Sequence, residues 1–178
     1  MRKPKPKLAQ QELFEFAVTS LSHRAQSSAE LAAKLRLRAA DAEDVEPVME
    51  RLREYGYLDD LRFAENFAAS RLENARFGRT RTLQDLRGRR IPGPVADAVV
   101  ENVYKDTDEE RLVEEYIRRK YRAAPRAGLF QEDKDLANAY RRLLRAGFRS
   151  AAIVRVLKRF AKNPELLDSI EDSEEPLR

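Results

Sequence analysis

Short stretches of similar sequence recur along this chain at intervals of about fifty residues. The stretch "AELAAKL" is matched by "RTLQDLR", and "VEPVMERL" by both "VADAVVENV" and "IVRVLKRF". Their apolar residues follow a helical spacing, whereas the sustained alternation typical of strands is almost absent. A unit of this size buries too little surface to be stable alone, so it must pack against its neighbours. The sequence therefore predicts an all-α fold, a tandem array of three three-helix repeats forming an elongated, curved rod.

The boundaries of the repeats can be placed in the sequence. We expect a basic tail at 1–7, repeats at 8–56, 57–105 and 106–162, and an acidic tail at 163–178. Both tails are polar and highly charged, and such segments tend to remain flexible. Within the repeats, the apolar spacing predicts helices at 13–23, 28–38, 45–54, 60–74, 80–89, 94–104, 108–121, 131–145 and 151–161.

Polar residues predict where several of these helices begin. Ser27 and Glu30 form a capping box, in which the serine hydroxyl accepts a backbone hydrogen bond and the glutamate reaches back to the cap. Thr107 with Glu110 repeats the pattern before a later helix. Ser150 precedes the last apolar stretch and is predicted to cap it.

Two adjacent aspartates, Asp59 and Asp60, precede a run with Phe63, Ala64 and Phe67 on one face. Paired carboxylates can perform acid–base chemistry, hold a metal ion or start a helix. An aspartate at the N-cap accepts a backbone hydrogen bond, and a second one interacts favourably with the helix dipole. Catalytic carboxylates would need a pocket and a matched partner, of which the sequence shows no sign. We therefore interpret the pair as a helix start, and the two phenylalanines as core residues.

The composition argues against several classes of function. The chain has no cysteine, hence no disulfide, thiol nucleophile or thiolate metal site. Its single histidine, His23, has no clustered partners, and the sequence contains no Gly-rich phosphate loop or nucleophile–histidine pair. We therefore expect no enzyme activity, no cofactor and no metal. Apolar runs are far too short for a membrane span, and no signal peptide is recognisable, so we expect a cytoplasmic protein.

Charge is segregated along the chain, although the formal net charge is only +4. Residues 41–65 carry nine acidic and three basic side chains, and residues 71–90 carry seven arginines against two acids. Residues 141–162 carry eight basic side chains and no acid. Blocks of one sign create a field that can select partners, but they can also be ordinary solvated helix surface.

Two of these blocks predict basic binding faces. Seven arginines lie around Gly78: Arg71, Arg76, Arg79, Arg81, Arg87, Arg89 and Arg90. Several of them must simply solvate their helix, and we assign the first four to the Gly78 face. The C-terminal face consists of Arg141, Arg142, Arg145, Arg149, Arg155, Lys158, Arg159 and Lys162. Rows of cations can follow phosphates or an acidic protein groove by charge alone. Binding and simple solvation explain the Gly78 face equally well, whereas the lack of acids favours binding at the C-terminal face.

The most specific motif continues from the paired aspartates. It comprises Gly56, Leu58, Asp59, Asp60, Arg62, Phe63 and Ala64, followed by Arg71, Gly78, Arg81, Leu83, Leu86 and Ile91. An upstream companion motif comprises Arg24, Ser27, Glu30, Leu31, Lys34 and Leu35. In this order, on a threefold helical repeat, these residues resemble the RecX family of recombination regulators over about residues 8–162.

The resemblance has one departure. Members of the family usually have a glycine at the turn between the second and third helix of a repeat. This chain keeps it at Gly147-Phe148 but has Ala39-Ala40 and Arg90-Ile91 at the other two turns. Because only glycine adopts a positive φ without cost, we expect these two turns to use another backbone geometry.

The resemblance implies a non-enzymatic regulator that lodges in the groove of RecA–single-stranded-DNA filaments and modulates recombinase activity, ATP hydrolysis and filament growth, usually by inhibition. It places the chain in homologous recombination, DNA repair and the SOS response. The implied partners are the RecA filament and single-stranded DNA, with double-stranded DNA as a further candidate, and we expect a monomer. The residues also allow an independent helical DNA-binding module acting without RecA, or a helical scaffold for a charged protein.

Overall fold

The computed structural model describes residues 7–121 and 129–167. Its helices are α1 (Gln10–His23), α2 (Ser28–Arg36), a 3₁₀ turn (Ala42–Asp44), α3 (Val45–Glu54), α4 (Asp60–Ser70) with a π-helical turn (Arg71–Ala75), α5 (Arg79–Gly88), α6 (Gly93–Val103), α7 (Glu109–Tyr121), α8 (Asp133–Arg145) and α9 (Ser150–Lys158). The predicted all-α fold class is confirmed. Among the described helices, none is long and apolar enough to cross a membrane.

The chain divides into two compact units. Within the described residues, the first unit comprises 7–67 and 85–99, and the second comprises 68–84, 100–121 and 129–167. The predicted boundaries of the three repeats stay a prediction. Residues 1–6 of the predicted basic tail and 168–178 of the acidic tail lie outside the described residues.

The core of the first unit forms where α1, α2 and α3 pack together. Leu13, Leu31, Leu35 and Leu52 have no exposed surface, and Met49 is almost fully buried. Leu31 and Leu35 are four residues apart in α2, and Met49 and Leu52 are three apart in α3, so each pair lies on one face of its helix. Full burial of one such side chain contributes about 1.5–3 kcal/mol.

Ser27 fixes the start of α2 as predicted. Its Oγ accepts a hydrogen bond from Glu30 N at 3.1 Å, and Glu30 Oε2 accepts one from Ser27 N at 3.2 Å. The hydroxyl also donates to the carbonyl of Arg89 at 2.6 Å. A fully buried serine therefore joins α2 to the segment that follows α5.

The paired aspartates begin helices, as the sequence predicts. Asp59 Oδ1 accepts a hydrogen bond from Arg62 N at 3.0 Å and so caps α4. Asp60 Oδ1 accepts one from Ser28 N at 2.7 Å, at the first residue of α2. The two carboxylates therefore satisfy amides of two different helices.

Two other predicted caps are wrong. Asp108 Oδ1 accepts from Arg111 N at 3.1 Å, so the cap of α7 is Asp108 and not Thr107. Aspartate is the better N-cap residue of the two. Ser150 is the first residue of α9 rather than its cap, and its hydroxyl is hydrogen-bonded to that of Tyr140 at 3.0 Å.

The core of the second unit lies largely between α7, α8 and α9. Ile117, Leu136, Leu143, Ile153 and Leu157 are almost completely buried. Among the aromatic residues of this unit, Tyr140, Phe148 and Phe160 are buried, whereas Tyr116 and Tyr121 are half-buried. In the first unit, Phe63 and Phe67, which we predicted as core residues, are only half-buried.

Two glycines bring backbone segments of the second unit into direct contact. Gly78 N donates to the carbonyl of Ala146 at 2.8 Å, and Thr80 N donates to that of Gly147 at 3.2 Å. A Cβ on Gly78 would lie 2.2 Å from Gly147 O, and one on Gly147 would lie 2.2 Å from Arg81 N. The start of α5 therefore packs on the α8–α9 turn at a distance that only glycine allows.

Four of the described helices end in a left-handed turn. The residue with positive φ is Gly56 after α3 (71°), Arg76 after the π-helical turn of α4 (56°), Arg90 after α5 (61°) and Gly147 after α8 (92°). After α5, Ile91 N donates to the carbonyl of Leu86 at 3.2 Å, which closes the turn in a Schellman motif. The same backbone geometry is thus adopted with and without glycine.

One of the two turns lacking glycine differs from expectation. The turn at Arg90-Ile91 keeps a positive φ, so the prediction of another geometry is wrong there. The turn at Ala39-Ala40 has no positive φ, so the prediction is confirmed there. The backbone after α2 pairs instead with Leu8, whose amide and carbonyl both form hydrogen bonds of 2.8 Å.

Replacing Arg90 with glycine is expected to stabilise the first unit by about 0.5–1 kcal/mol. The left-handed conformation costs a residue with a side chain about 1–2 kcal/mol, and glycine avoids this cost. Part of the gain is lost again, because glycine has more conformational freedom in the unfolded state. The measurement is the urea midpoint of unfolding. Arg90→Ala keeps the backbone cost and is the matched control. Equal midpoints for the two variants would show that no strain is present at this turn.

Candidate functional site

The chain's net positive charge belongs to the second unit. Residues 1–67 and 85–99 hold 14 basic and 14 acidic side chains, whereas residues 68–84 and 100–178 hold 21 basic and 17 acidic ones. All residues assigned to the Gly78 face and the C-terminal face lie in this second unit, whereas Arg87, Arg89 and Arg90, of the same arginine block, lie in the first. The structure therefore gathers the two assigned faces into one compact body.

Arginines of the C-terminal face pair with glutamates of α7, although residues 141–162 contain no acidic side chain. Arg155 Nε lies 2.7 Å from Glu110 Oε1, and Arg159 Nη1 lies 2.7 Å from Glu114 Oε1. Arg159 Nη2 also pairs with Glu110. The two arginine side chains remain 63% and 50% exposed, so such pairs are worth only about 0–1 kcal/mol each. They do, however, offset the positive charge of α9.

Arg149 is held in the same way at the start of α9. Its Nε lies 2.6 Å from Glu109 Oε2, and its backbone N donates to Glu109 Oε1 at 2.9 Å. Three glutamates near the start of α7 therefore bind three of the predicted cations. The spacing of Glu110 and Glu114, at i and i+4 along the edge of the buried apolar stripe of α7, is the signal that could have revealed this.

The cations of α8 are less neutralised. Arg141, Arg142 and Arg145 are all exposed. The guanidinium of Arg142 lies 5.7 Å from the ring centroid of Tyr121, whose pKa is raised above its ordinary value by burial, so the ring stays neutral. Arg141, Arg145 and Lys162 form no ion pair with any residue that the structure describes. Lys158 is exposed on α9.

The Gly78 face is built around an aromatic ring. The guanidinium carbons of Arg71 and Arg81 lie 5.5 and 5.9 Å from the centroid of Phe77. Arg76 Nε pairs with Glu115 Oε2 of α7 at 3.0 Å. The remaining member, Arg79, pairs with Glu101 at 2.6 Å. Helix α7 thus supplies acidic partners to both predicted faces.

Histidine and carboxylates do not form a metal centre in the part of the chain that the structure describes. His23 is exposed at the end of α1. Groups of three or more side chains able to hold a metal ion are absent among the described residues. The chemistry that the predicted residues present is surface charge.

A groove of about 610 Å³ in the first unit was not predicted from the sequence. It lies against the half-buried rings of Phe63 and Phe67. The sequence signal that could have found it is the pair Ala64 and Ala68, which takes the fully buried positions of α4 and leaves the rings at the edge of the core.

Comparison with known proteins decides the family. The model of the first three-helix domain of RecX matches residues 14–52, and that of the second matches residues 59–100. The regulatory protein RecX of Halorhodospira halophila is 35% identical over 140 residues, which cover 79% of this chain and 83% of that protein. The chain belongs to the RecX family. The family resemblance read from its motifs is thereby confirmed.

Other RecX proteins and structures agree. The regulatory protein RecX of Deinococcus radiodurans is 33% identical over 90% of this chain and 74% of its own length. The crystal structure of RecX from Lactobacillus salivarius superposes with a TM-score of 0.62 at 17% identity, covering 84% of this chain and 94% of that one. A crystal structure of regulatory protein RecX also gives 0.62, at 19% identity, covering 83% and 70%. At these identities the two structures show that the helical fold is shared.

Proposed function

We propose that this RecX-family chain regulates a RecA recombinase by binding the RecA–single-stranded-DNA filament through the cationic surfaces of its second unit. It catalyses no reaction of its own. It acts in the cytoplasm as a monomer that lodges in the filament groove and restrains filament growth, ATP hydrolysis and strand exchange. The observation that carries the proposal is the gathering of all twelve predicted cations in the one unit with net positive charge.

The α7 carboxylates determine which cations attract the filament most strongly. A phosphate that binds Arg155 or Arg159 must compete with Glu110 and Glu114. A phosphate that binds the exposed cations of α8 displaces only water and counterions, whose release drives binding. We therefore assign the larger share of the attraction to the cations of α8. The cations of α9 bind only groups that can displace Glu110 and Glu114.

Neutralising Arg141 and Arg145 together as glutamines is expected to weaken filament binding about tenfold at low salt. If both cations contact phosphates of the single strand, the slope of log affinity against log salt also falls by about 1.4. The measurement is the concentration of this protein that halves ATP hydrolysis by RecA, repeated over a salt series.

The matched control neutralises Arg155 and Arg159 as glutamines. Because their charges are already offset by α7, the expected loss is about twofold or less. An equal or larger loss in the α9 variant would show that the glutamates do not screen this face. Far-UV circular dichroism checks that both variants remain helical.

The experiment that tests the proposed function as a whole is single-stranded-DNA-dependent ATP hydrolysis by the cognate RecA, titrated with this protein. Binding to bare single-stranded DNA is measured in the same salt. Hydrolysis is expected to fall at concentrations well below those that coat the DNA. Unchanged hydrolysis with tight, salt-sensitive binding to bare DNA would indicate an independent DNA-binding module instead.

A further inference from the structure

The groove in the first unit has no role in the proposed function. It is lined by the end of α1, the segment leading into α2, the segment between α3 and α4, and the first two turns of α4, together with Arg89. Its volume of about 610 Å³ lies within the range of about 300–1,000 Å³ that is usual for ligand pockets. The groove is therefore large enough to receive two or three side chains of a partner.

The floor of the groove is apolar and aromatic. The rings of Phe63 and Phe67 stack with centroids 6.0 Å apart and planes inclined by 20°. Val18 and Leu21 of α1 are half-buried beside them, and Tyr57 lines the groove with 51% of its surface exposed. Aromatic surface of this kind is typical of the anchor pockets at protein interfaces.

Three arginines surround this floor. Arg89 is committed within the unit, because its guanidinium lies 5.2 Å from the Phe67 centroid and pairs with Glu30 at 3.3 Å. Arg24 reaches the same Glu30 only at 3.7 Å, and its side chain is 61% exposed. Arg62 is exposed and forms no ion pair with any described residue. Arg24 and Arg62 can therefore bind a carboxylate beside the apolar floor.

The charge of this unit favours a protein segment over a nucleic acid. The first unit holds 14 basic and 14 acidic side chains, and Asp59 lines the groove itself. A run of phosphates would meet Asp59 in the groove and a unit with no net positive charge to attract the rest of the strand. A protein segment with one carboxylate next to an apolar side chain can instead place that carboxylate on the arginines alone. Arginine guanidinium groups bind carboxylates through paired hydrogen bonds.

We propose that the groove is a docking site for a short acidic and apolar segment of a protein partner. An aromatic or leucine side chain of that segment packs on Phe63 and Phe67, and a neighbouring carboxylate pairs with Arg62 and Arg24. The first unit then recognises protein, whereas the cations of the second unit recognise polyanions. The inference goes beyond the proposed function, and its probe needs no RecA filament.

The test uses the full chain and a short fluorescein-labelled peptide in which a single glutamate stands between phenylalanine and leucine. A counterpart with lysine in place of glutamate and an oligothymidylate of equal length serve as competing ligands. Fluorescence anisotropy is expected to show that the glutamate peptide binds more tightly than the lysine peptide and that oligothymidylate, which binds the second unit, does not displace it. Arg62→Glu is expected to weaken that binding about tenfold, the loss of one charge-assisted contact.

Arg62 is exposed, so its substitution leaves the core of the unit intact. Arg36→Glu reverses an exposed charge of the same unit away from the groove, and binding is expected to stay within twofold of the wild type. Equal binding of the glutamate and lysine peptides, or an unchanged affinity in Arg62→Glu, overturns the proposal. If oligothymidylate binds more tightly and Arg62→Glu abolishes that binding, the groove is a site for nucleic acid. If the protein self-associates and the same variant abolishes the association, the groove is a site for a second copy of the chain.

Discussion

Replacing Gly78 with alanine is expected to destabilise the second unit by about 3 kcal/mol or more. The new methyl carbon would lie 2.2 Å from Gly147 O, 2.4 Å from Gly147 C and 2.7 Å from Phe148 N. All three are backbone atoms, so no side chain can rotate away to relieve the contact. The hydrogen bond from Gly78 N to Ala146 O, 2.8 Å long, would be strained with it.

The measurement is urea unfolding followed by far-UV circular dichroism, with the midpoint and slope compared with those of the wild type. Gly88→Ala is the matched control, because a Cβ at Gly88, at the other end of helix α5, meets no atom within 4 Å. This control is expected to be neutral or stabilising by up to about 1 kcal/mol. If the two variants unfolded at the same midpoint, the close approach of the two glycine segments would be refuted.

Ser27→Ala is expected to cost the first unit about 2–4 kcal/mol. The substitution removes the cap of α2, worth about 1 kcal/mol, and the 2.6 Å hydrogen bond to the carbonyl of Arg89. Because Ser27 has no exposed surface, water cannot replace either bond without entering the core, which adds about 1–3 kcal/mol.

Ser28→Ala provides the comparison at the next position. Ser28 uses its backbone amide, not its side chain, to bind Asp60 Oδ1 at 2.7 Å, so this variant is expected to unfold within about 0.5 kcal/mol of the wild type. Thermal and urea midpoints measure both variants. A loss below about 1 kcal/mol in Ser27→Ala would show that the bond to Arg89 contributes nothing to stability.

The helices were predictable because their signals are local. Apolar spacing and the capping box of Ser27 both lie within one or two helical turns, and each predicts the structure without knowledge of the rest of the chain. Local reasoning failed where two neighbours compete, as with Thr107 and Asp108 before α7. It failed again at Arg90, which has a positive φ in the turn after α5 although this conformation is unfavourable for a residue with a side chain.

The candidate site was predictable only in part, because charge acts through space rather than along the sequence. The stretch 141–162 contains no acid, yet Arg159 pairs with glutamates 45 and 49 residues earlier in the chain. The half-buried state of Phe63 and Phe67 likewise depends on which face of α4 packs inward, and Ala64 and Ala68 take that face. Neither feature can be predicted from a stretch of sequence as short as a single helix.

The hydrogen bond between Ser27 and the carbonyl of Arg89 joins residues 62 positions apart, and residues 85–99 belong to the first unit. At a synthesis rate of about 5–20 residues per second, Arg89 is made about 3–12 s after Ser27. By the end of that interval α1, α2 and α3 have all been synthesised, but the hydroxyl of Ser27 still has no Arg89 carbonyl to bind. A nascent chain of this protein therefore closes its first unit only after α5 has been translated.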